Sequence, residues 1–199
     1  MRTIALILML LRPVAAHAGD VTLALRTANG RPLADAVVTV HPANGVPRTP
    51  IRFPWSYDVV QQNLQFVPHV QIVPVGATVR FPNRDRVRHH VYSFSRPARF
   101  ELRLYGRDEA RSYTFTTEGA VAIGCNIHDQ MTGYIKVVDT PWAARSDAQG
   151  RVRIASVPGG AARVTIWHPR LRGRESESVY NVTIPATGTF ARQVTLETR

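Results

Sequence analysis

Cysteine and lysine are almost missing from this chain of 199 residues: Cys125 is the only cysteine and Lys136 the only lysine. A single cysteine excludes an internal disulfide framework and every metal site that takes two or more thiolates from one chain. Because 25 Lys+Arg stand against 14 Asp+Glu, the formal charge is +11, and nearly all of the positive charge is arginine. The hydrophobic content of 44% is that of an ordinary globular protein.

Long hydrophobic runs are scarce too, and the one that stands out lies at the N-terminus. Met1-Arg2 is a short basic start, residues 3–11 are apolar, and Ala16-His17-Ala18 has the small-x-small pattern that signal peptidase recognises. The apolar run is too short to span a bilayer as a helix, and no later segment is long and apolar enough. We therefore expect residues 1–18 to be a signal peptide and the mature protein to be periplasmic, without a membrane-spanning segment.

Helical periodicity is absent from the rest of the sequence. Apolar residues recur in short runs separated by turns rich in Gly, Pro, Asn and Asp, and no window of a dozen residues has a helical period. The alternation Val21-Leu23-Leu25, followed by an Asn-Gly-Arg-Pro turn at residues 29–32, is typical. Regular short strands punctuated by turns predict an all-β fold made of β-sandwiches.

Two sandwiches are expected, and the first spans roughly residues 56–139. The C-terminal residues 140–199 have too few strands for a complete second sandwich. Residues 30–36 (Gly-Arg-Pro-Leu-Ala-Asp-Ala) and 146–151 (Ser-Asp-Ala-Gln-Gly-Arg) resemble segments of the carboxypeptidase-regulatory-like, or transthyretin-like, sandwiches. That resemblance implies that residues 19–47 and 140–199 form one small sandwich, into which the 56–139 domain is inserted.

The most informative stretch lies between two predicted strands. It places Cys125, His128 and Met131 at C-x2-H-x2-M spacing, so that a tight loop can direct three side chains at one point. A further source of histidine, His89-His90, lies at the start of another predicted strand. One thiolate, two imidazoles and a weak axial thioether make up the trigonal site of a blue copper protein. The sequence supplies each of these parts, which predicts a type 1 copper centre.

Three upstream histidines are open to different interpretations. Adjacent strand residues point to opposite faces, so only one of His89 and His90 can face the metal. His69 either lies near the site or caps a strand.

The segment from about residue 56 to residue 139 resembles the cupredoxins, the blue copper family, and its loop is similar to that of the amicyanin and pseudoazurin subfamily. The upstream stretch 83–91 is similar to the N-x-(D/E)-x3-H-x-V segment of that family. The resemblance implies a Greek-key β-sandwich and a set of four copper ligands: His89, Cys125, His128 and Met131. It places His90 where many cupredoxins have Asn. The chain as a whole resembles the exported cupredoxin-like proteins often labelled methylamine utilization proteins.

The resemblance implies a one-electron carrier rather than an enzyme, with the exposed imidazole of His128 as the exit for the electron. The alternative is a copper-binding carrier or sensor module that has no electron-relay role. His69, His90 and the polar Asp129 favour this alternative, because they offer extra ligands for metal transfer or for a non-blue site.

Charge suggests the kind of partner. Between residues 84 and 111 there are eight arginines and four acidic residues. A basic surface near the metal would steer an acidic redox protein, such as a cytochrome or a dehydrogenase. The alternative is an even spread of arginine over the strand faces. Asp129 and Gln130 stand where the family has an apolar docking patch. Export, together with the lack of a basic helix or stacking platform, argues against nucleic-acid binding.

Overall fold

The computed structural model describes residues 18–199, so the predicted signal peptide lies outside the described residues except for Ala18. The regular structure of the described part is almost entirely strand, with one 3-10 turn at Arg174–Ser176. The strands are β1 (Ala18–Thr27), β2 (Val37–Pro42), β3 (Val60–Gln62), β4 (Gln65–Val67), β5 (Val70–Pro74), β6 (Ala77–Pro82), β7 (His89–Ser95), β8 (Ala98–Tyr105), β9 (Ala110–Phe115), β10 (Gly119–Gly124), β11 (Thr132–Val138), β12 (Ala143–Arg145), β13 (Arg151–Pro158), β14 (Gly160–Trp167), β15 (Glu177–Ile184) and β16 (Thr189–Leu196). The all-β prediction is confirmed. This part of the chain contains no helix that is long and apolar enough to cross a membrane.

The middle of the chain builds one sandwich around a five-stranded sheet in the order β5-β11-β10-β7-β8. β5 runs parallel to β11, and the other neighbours are antiparallel. The pair β6–β9 forms the opposing layer. Burial alternates along β6, where Val79 and Phe81 are buried and their neighbours are more exposed. These side chains pack with Val91, Val121 and Ile135 of the larger sheet in one apolar core.

Strands from both ends of the chain build a second sandwich. One sheet has the order β13-β1-β16 and the other the order β12-β2-β14-β15. Val21, Leu23 and Leu25 of β1 are buried in its core, as their alternation predicted. The pairing of early with late strands supports an enclosing unit of residues 19–47 and 140–199 around an inserted unit of residues 56–139. That division into domains stays a prediction.

The second sandwich covers the outer face of β5 and β11. Val37 and Trp167 of that sandwich pack with Val70, Ile72 and Val138 of the first in a separate apolar cluster. An ion pair between Lys136 and Glu177, 2.7 Å long, crosses the same contact. The ammonium group of Lys136 also lies 5.7 Å from the centre of the Trp167 ring. The only lysine of the chain therefore joins the two sandwiches.

A buried histidine near this contact makes stability depend on pH. His168 is only 5% exposed. Desolvation, assisted by the nearby charge of Arg170, lowers the pKa of His168 to about 4, although Asp35 opposes the shift. The unfolded chain, with a His pKa near 6.5, therefore binds more protons than the folded chain as the pH falls between these two values. The stabilisation is complete above about pH 6.5 and is lost as the pH falls towards about 4.

We expect this single group to lower the free energy of unfolding by about 2 kcal/mol between about pH 7.5 and about pH 5. The His168→Asn variant should lack that part of the pH dependence. Its amide oxygen can still accept the hydrogen bond that the Arg170 N–H donates to His168 Nδ1 at 3.2 Å. Urea unfolding of both proteins at the two pH values measures the difference. An equal loss of stability in the two proteins would contradict the prediction.

Candidate metal centre

Three side chains bring their donor atoms together at one end of the first sandwich. His89 begins β7, Cys125 directly follows β10, and His128 lies in the loop that leads to β11. The Cys125 Sγ atom lies 3.8 Å from His89 Nδ1 and 3.7 Å from His128 Nδ1. All three donor atoms lie within 4.8 Å of one another. Within residues 18–199 this is the only such group of three or more His, Cys, Asp or Glu side chains.

The spacing of these atoms fits a site for a single metal ion. With metal–sulfur and metal–nitrogen bonds of about 2.3 and 2.0 Å, an angle of about 120° places sulfur and nitrogen about 3.7 Å apart. A tetrahedral angle shortens the same separation to about 3.5 Å. The observed distances of 3.8 and 3.7 Å are compatible with either arrangement, so the three donors can hold one metal ion. One sulfur and two imidazole nitrogens in a plane are the donor set of a blue copper site.

Backbone hydrogen bonds close the loop that carries two of these residues. The Cys125 N–H donates to the Met131 carbonyl at 3.2 Å, and the Met131 N–H donates to the His128 carbonyl at 2.8 Å. β10 and β11 pair as far as Gly124 and Thr132, directly outside this loop. The loop is thus held at both ends, with His128 Nδ1 facing Cys125 Sγ.

The predicted axial ligand lies in the same part of the core. Met131 is 1% exposed and belongs to the apolar cluster that includes Cys125, which is 2% exposed. A thioether in such surroundings is shielded from water. The axial role of Met131 stays a prediction.

Asp85 orients His89. The His89 Nε2 atom lies 2.8 Å from Asp85 Oδ2, and the histidine side chain is fully buried. The Nε2–H group of His89 donates a hydrogen bond to this carboxylate. In that tautomer Nδ1 carries no proton, and Nδ1 is the nitrogen that faces Cys125. Burial alone would raise the pKa of Asp85, but hydrogen bonds from Leu64, His89 and Asn63 outweigh it and hold that pKa below its usual value. Asp85 is therefore an anion that fixes the histidine tautomer.

Asn83 shapes the segment between β6 and β7. Its side-chain NH₂ group donates to the carbonyls of Val87 and Tyr105, and its Oδ1 accepts the Asp85 N–H at 2.9 Å. The role of Asn83 and Asp85 was not predicted, although both belong to the N-x-D-x3-H pattern. The sequence feature that could have revealed the contact is the spacing of four residues between Asp85 and His89. In a tight loop this spacing lets the Asp85 carboxylate reach the imidazole ring of His89.

The structure separates the other histidines from this centre. His90 Nε2 lies 2.9 Å from Glu101 Oε1, so its ring is turned away from Cys125. His69 is exposed and lies edge-on to the Tyr134 ring, with the ring centres 5.4 Å apart. Neither belongs to the group of three donors.

Comparison with known proteins gives structural likeness alone. No family model matches the chain, and no curated protein matches it. Among solved structures, the copper-containing nitrite reductase NirK from Thermus scotoductus SA-01 is 28% identical, with a TM-score of 0.40 over 47% of this chain. The match covers 25% of the nitrite reductase, so this chain spans about a quarter of it. A Cu(I) form of an amicyanin mutant is 24% identical, with a TM-score of 0.39, covering 52% of this chain and 99% of amicyanin.

Proposed function

We propose that the protein is a periplasmic type 1 copper protein that carries one electron between redox partners and catalyses no reaction of its own. The observation that carries this proposal is the placement of Cys125 Sγ at 3.8 and 3.7 Å from two imidazole nitrogens. The proposed ligands are His89, Cys125, His128 and, as the weak axial ligand, Met131. Copper, when bound, supplies a one-electron change between its cuprous and cupric states.

The surroundings of each proposed ligand match a distinct task. Cys125 is buried in an apolar cluster, which shields its sulfur from water and from oxidation. Asp85 holds the proton on the far nitrogen of His89 and so keeps the near nitrogen free. His128 is half-buried and lies on a surface loop, so its ring gives the centre an edge towards solvent. We assign the electron exit to that edge.

The surface beside this edge suits an acidic partner. Arg84, Arg86 and Arg88 are exposed in the segment that leads to His89, and none of them belongs to an ion pair among residues 18–199. Val87 lies in the same segment and is 44% exposed. Ile127 lies in the loop between β10 and β11 and is 48% exposed. Small apolar contacts beside basic side chains are suited to brief docking, because the charge steers the encounter and the small apolar area lets the complex dissociate. We propose an acidic cytochrome or dehydrogenase as the class of partner.

The rival function, a copper carrier or sensor, depends on extra ligands beside the centre. His90 is held by Glu101, and His69 lies against Tyr134. These contacts favour a closed site, which suits electron transfer better than metal release.

Titration of the purified protein with Cu²⁺ tests the proposal. We expect an intense visible thiolate-to-copper band and narrow copper hyperfine splitting in the electron paramagnetic resonance spectrum, at one copper per chain. The Cys125→Ala variant should show neither feature. Colourless binding with ordinary wide splitting would overturn the electron-carrier proposal and favour the carrier or sensor function.

The contact of Asp85 with His89 should matter to copper affinity. Removing the outer hydrogen-bond partner of a metal-binding histidine typically lowers metal affinity by about 10- to 100-fold. We expect a loss of that size in the Asp85→Ala variant, measured by competition with a chelator of known affinity. The Asp129→Ala variant removes the same charge beside His128 and serves as the control. Equal affinity of the two variants would contradict a positioning role for Asp85.

A further inference from the structure

A cleft opens between the two sandwiches along the free edge of β5. Its volume is about 620 Å³. The segment from Trp55 to Val60 forms one wall, the end of β4 and β5 form the floor, and Arg145 of β12 closes the far side. This volume is in the range that suits a small organic ligand. The cleft shares no residue with the three metal-binding side chains.

Trp55 gives the cleft a rigid aromatic wall. Its indole N–H donates to the Ile72 carbonyl at 2.9 Å. One face of the indole stacks on Phe53, with ring centres 4.5 Å apart and an angle of 5° between the planes. The residue is nevertheless 37% exposed. An exposed aromatic surface that is already held in place loses little conformational entropy when a flat molecule stacks on it.

Arg145 supplies the polar end of the cleft. Its Nη1 atom donates to the Val70 carbonyl at 2.8 Å and lies 3.4 Å from Asp35. Its Nε and Nη2 atoms take part in no hydrogen bond among residues 18–199, so part of the guanidinium fork remains available to a ligand. Asp58, the acidic residue of the lining, faces Arg80 at 3.9 Å, which offsets its charge.

Gln71 adds a hydrogen-bond acceptor to the same cleft. The residue is only 6% exposed, and its amide nitrogen donates to the Ser56 carbonyl. That bond fixes the orientation of the amide group. Its Oε1 atom accepts no hydrogen bond from residues 18–199. The remaining lining is largely apolar: Val60, Val67, Pro68, Val70, Ile72 and Ala144.

We propose that this cleft binds a planar aromatic carboxylate. The ring stacks on the free face of Trp55 between apolar walls, and the carboxylate accepts hydrogen bonds from the unused donors of Arg145. Gln71 Oε1 then favours ligands that carry a hydroxyl or amino group on the ring. This inference does not rest on the copper site, so the two proposals stand or fall separately.

Isothermal titration of the purified protein with 2-naphthoate tests the inference. We expect one site per chain with a dissociation constant of about 1 mM or tighter. The neutral probe 2-naphthalenemethanol should bind about tenfold more weakly, because it lacks the charge that Arg145 recognises. Absence of saturable heat with 2-naphthoate would overturn the proposal.

Four variants locate the binding. Trp55→Leu should abolish it, whereas Trp55→Phe, which keeps a flat ring, should retain most of it. Arg145→Gln should weaken 2-naphthoate about tenfold and leave the neutral probe unchanged. Arg192→Gln removes the same charge in the second sandwich, where Arg192 lies over Tyr180, and should change nothing. Binding that Trp55→Leu leaves intact, or that the two arginine variants affect equally, would contradict the assignment. Circular dichroism checks that each variant is folded.

Discussion

The His89→Ala variant is expected to lose the intense thiolate-to-copper band entirely, whereas the His90→Ala variant should keep it. The two residues are neighbours in β7, but their side chains have opposite environments. His89 Nδ1 lies 3.8 Å from Cys125 Sγ. His90 Nε2 is paired with Glu101 at 2.9 Å. Removing His89 leaves only one imidazole beside the sulfur, which is too few for a trigonal blue site.

The comparison between neighbours makes this a strict test. Each substitution removes one buried imidazole, so a general loss of packing should affect both variants similarly. Visible absorption and electron paramagnetic resonance of the copper-loaded proteins read out the site, and thermal unfolding of the metal-free proteins reads out the fold. A blue spectrum in His89→Ala, or its loss in His90→Ala, would contradict the proposed ligand set.

The Gly150→Ala variant is expected to lose about 3 kcal/mol of folding stability, from backbone strain and steric overlap together. Gly150 has φ +74°, and an added Cβ would overlap the Leu25 carbonyl oxygen and lie 3.0 Å from the Leu33 nitrogen. The Gly150 carbonyl also accepts the Leu25 N–H at 2.7 Å, so the turn cannot move away without breaking this bond. Overlap with backbone atoms cannot be relieved by a change of rotamer.

Gly30 provides the matched control. Its φ is +78°, close to that of Gly150, but an added Cβ would meet nothing within 4 Å. The Gly30→Ala variant should therefore carry only the cost of the left-handed conformation, about 1 kcal/mol. Calorimetry should show a melting temperature about 6–12 °C lower for Gly150→Ala and about 2–4 °C lower for Gly30→Ala. Equal shifts would mean that the close approach to Leu25 contributes nothing.

Local patterns allowed much of the fold to be predicted. The alternation Val21-Leu23-Leu25 has period two, and all three side chains are buried in one sheet face. Cys125 and His128 also lie together because a loop closed by its own hydrogen bonds places them. Strand alternation and loop spacing each depend on a few consecutive residues, so a single sequence is enough to predict them.

Features that depend on register and on distant segments could not be predicted. The pairing of β7 with β8 shifts between His89 and Val91, and such an irregularity decides which way a side chain points. The carboxylate of Asp85 is held by N–H groups of Asn63 and Leu64, more than twenty residues earlier. No spacing rule connects these positions, because the contacts exist only once the turn between β3 and β4 has docked against the segment that carries Asp85.

The cleft between the sandwiches is even less predictable from sequence patterns. Most of the first sandwich lies between Trp55 and Arg145 in the sequence. The two side chains come to line one cleft because both donate hydrogen bonds to carbonyls of β5. From sequence, residues 45–55 are a proline-rich connector and nothing more. The contacts that hold the exposed Trp55 ring in place form only in the folded chain.

The strand pairing at the start and end of the first sandwich has a consequence for modularity. β2 and β12 lie side by side, with Thr39 opposite Ala143, so the chain leaves the second sandwich and returns to it at adjacent points. The Thr140 hydroxyl donates to the Val40 carbonyl at 2.8 Å and fastens the two crossing segments together. Because the two crossing segments are joined to each other, the sheets of the second sandwich can keep their register when loops within the first sandwich change in length. The predicted division into domains therefore implies that the second sandwich is a fixed platform for the unit inserted into it.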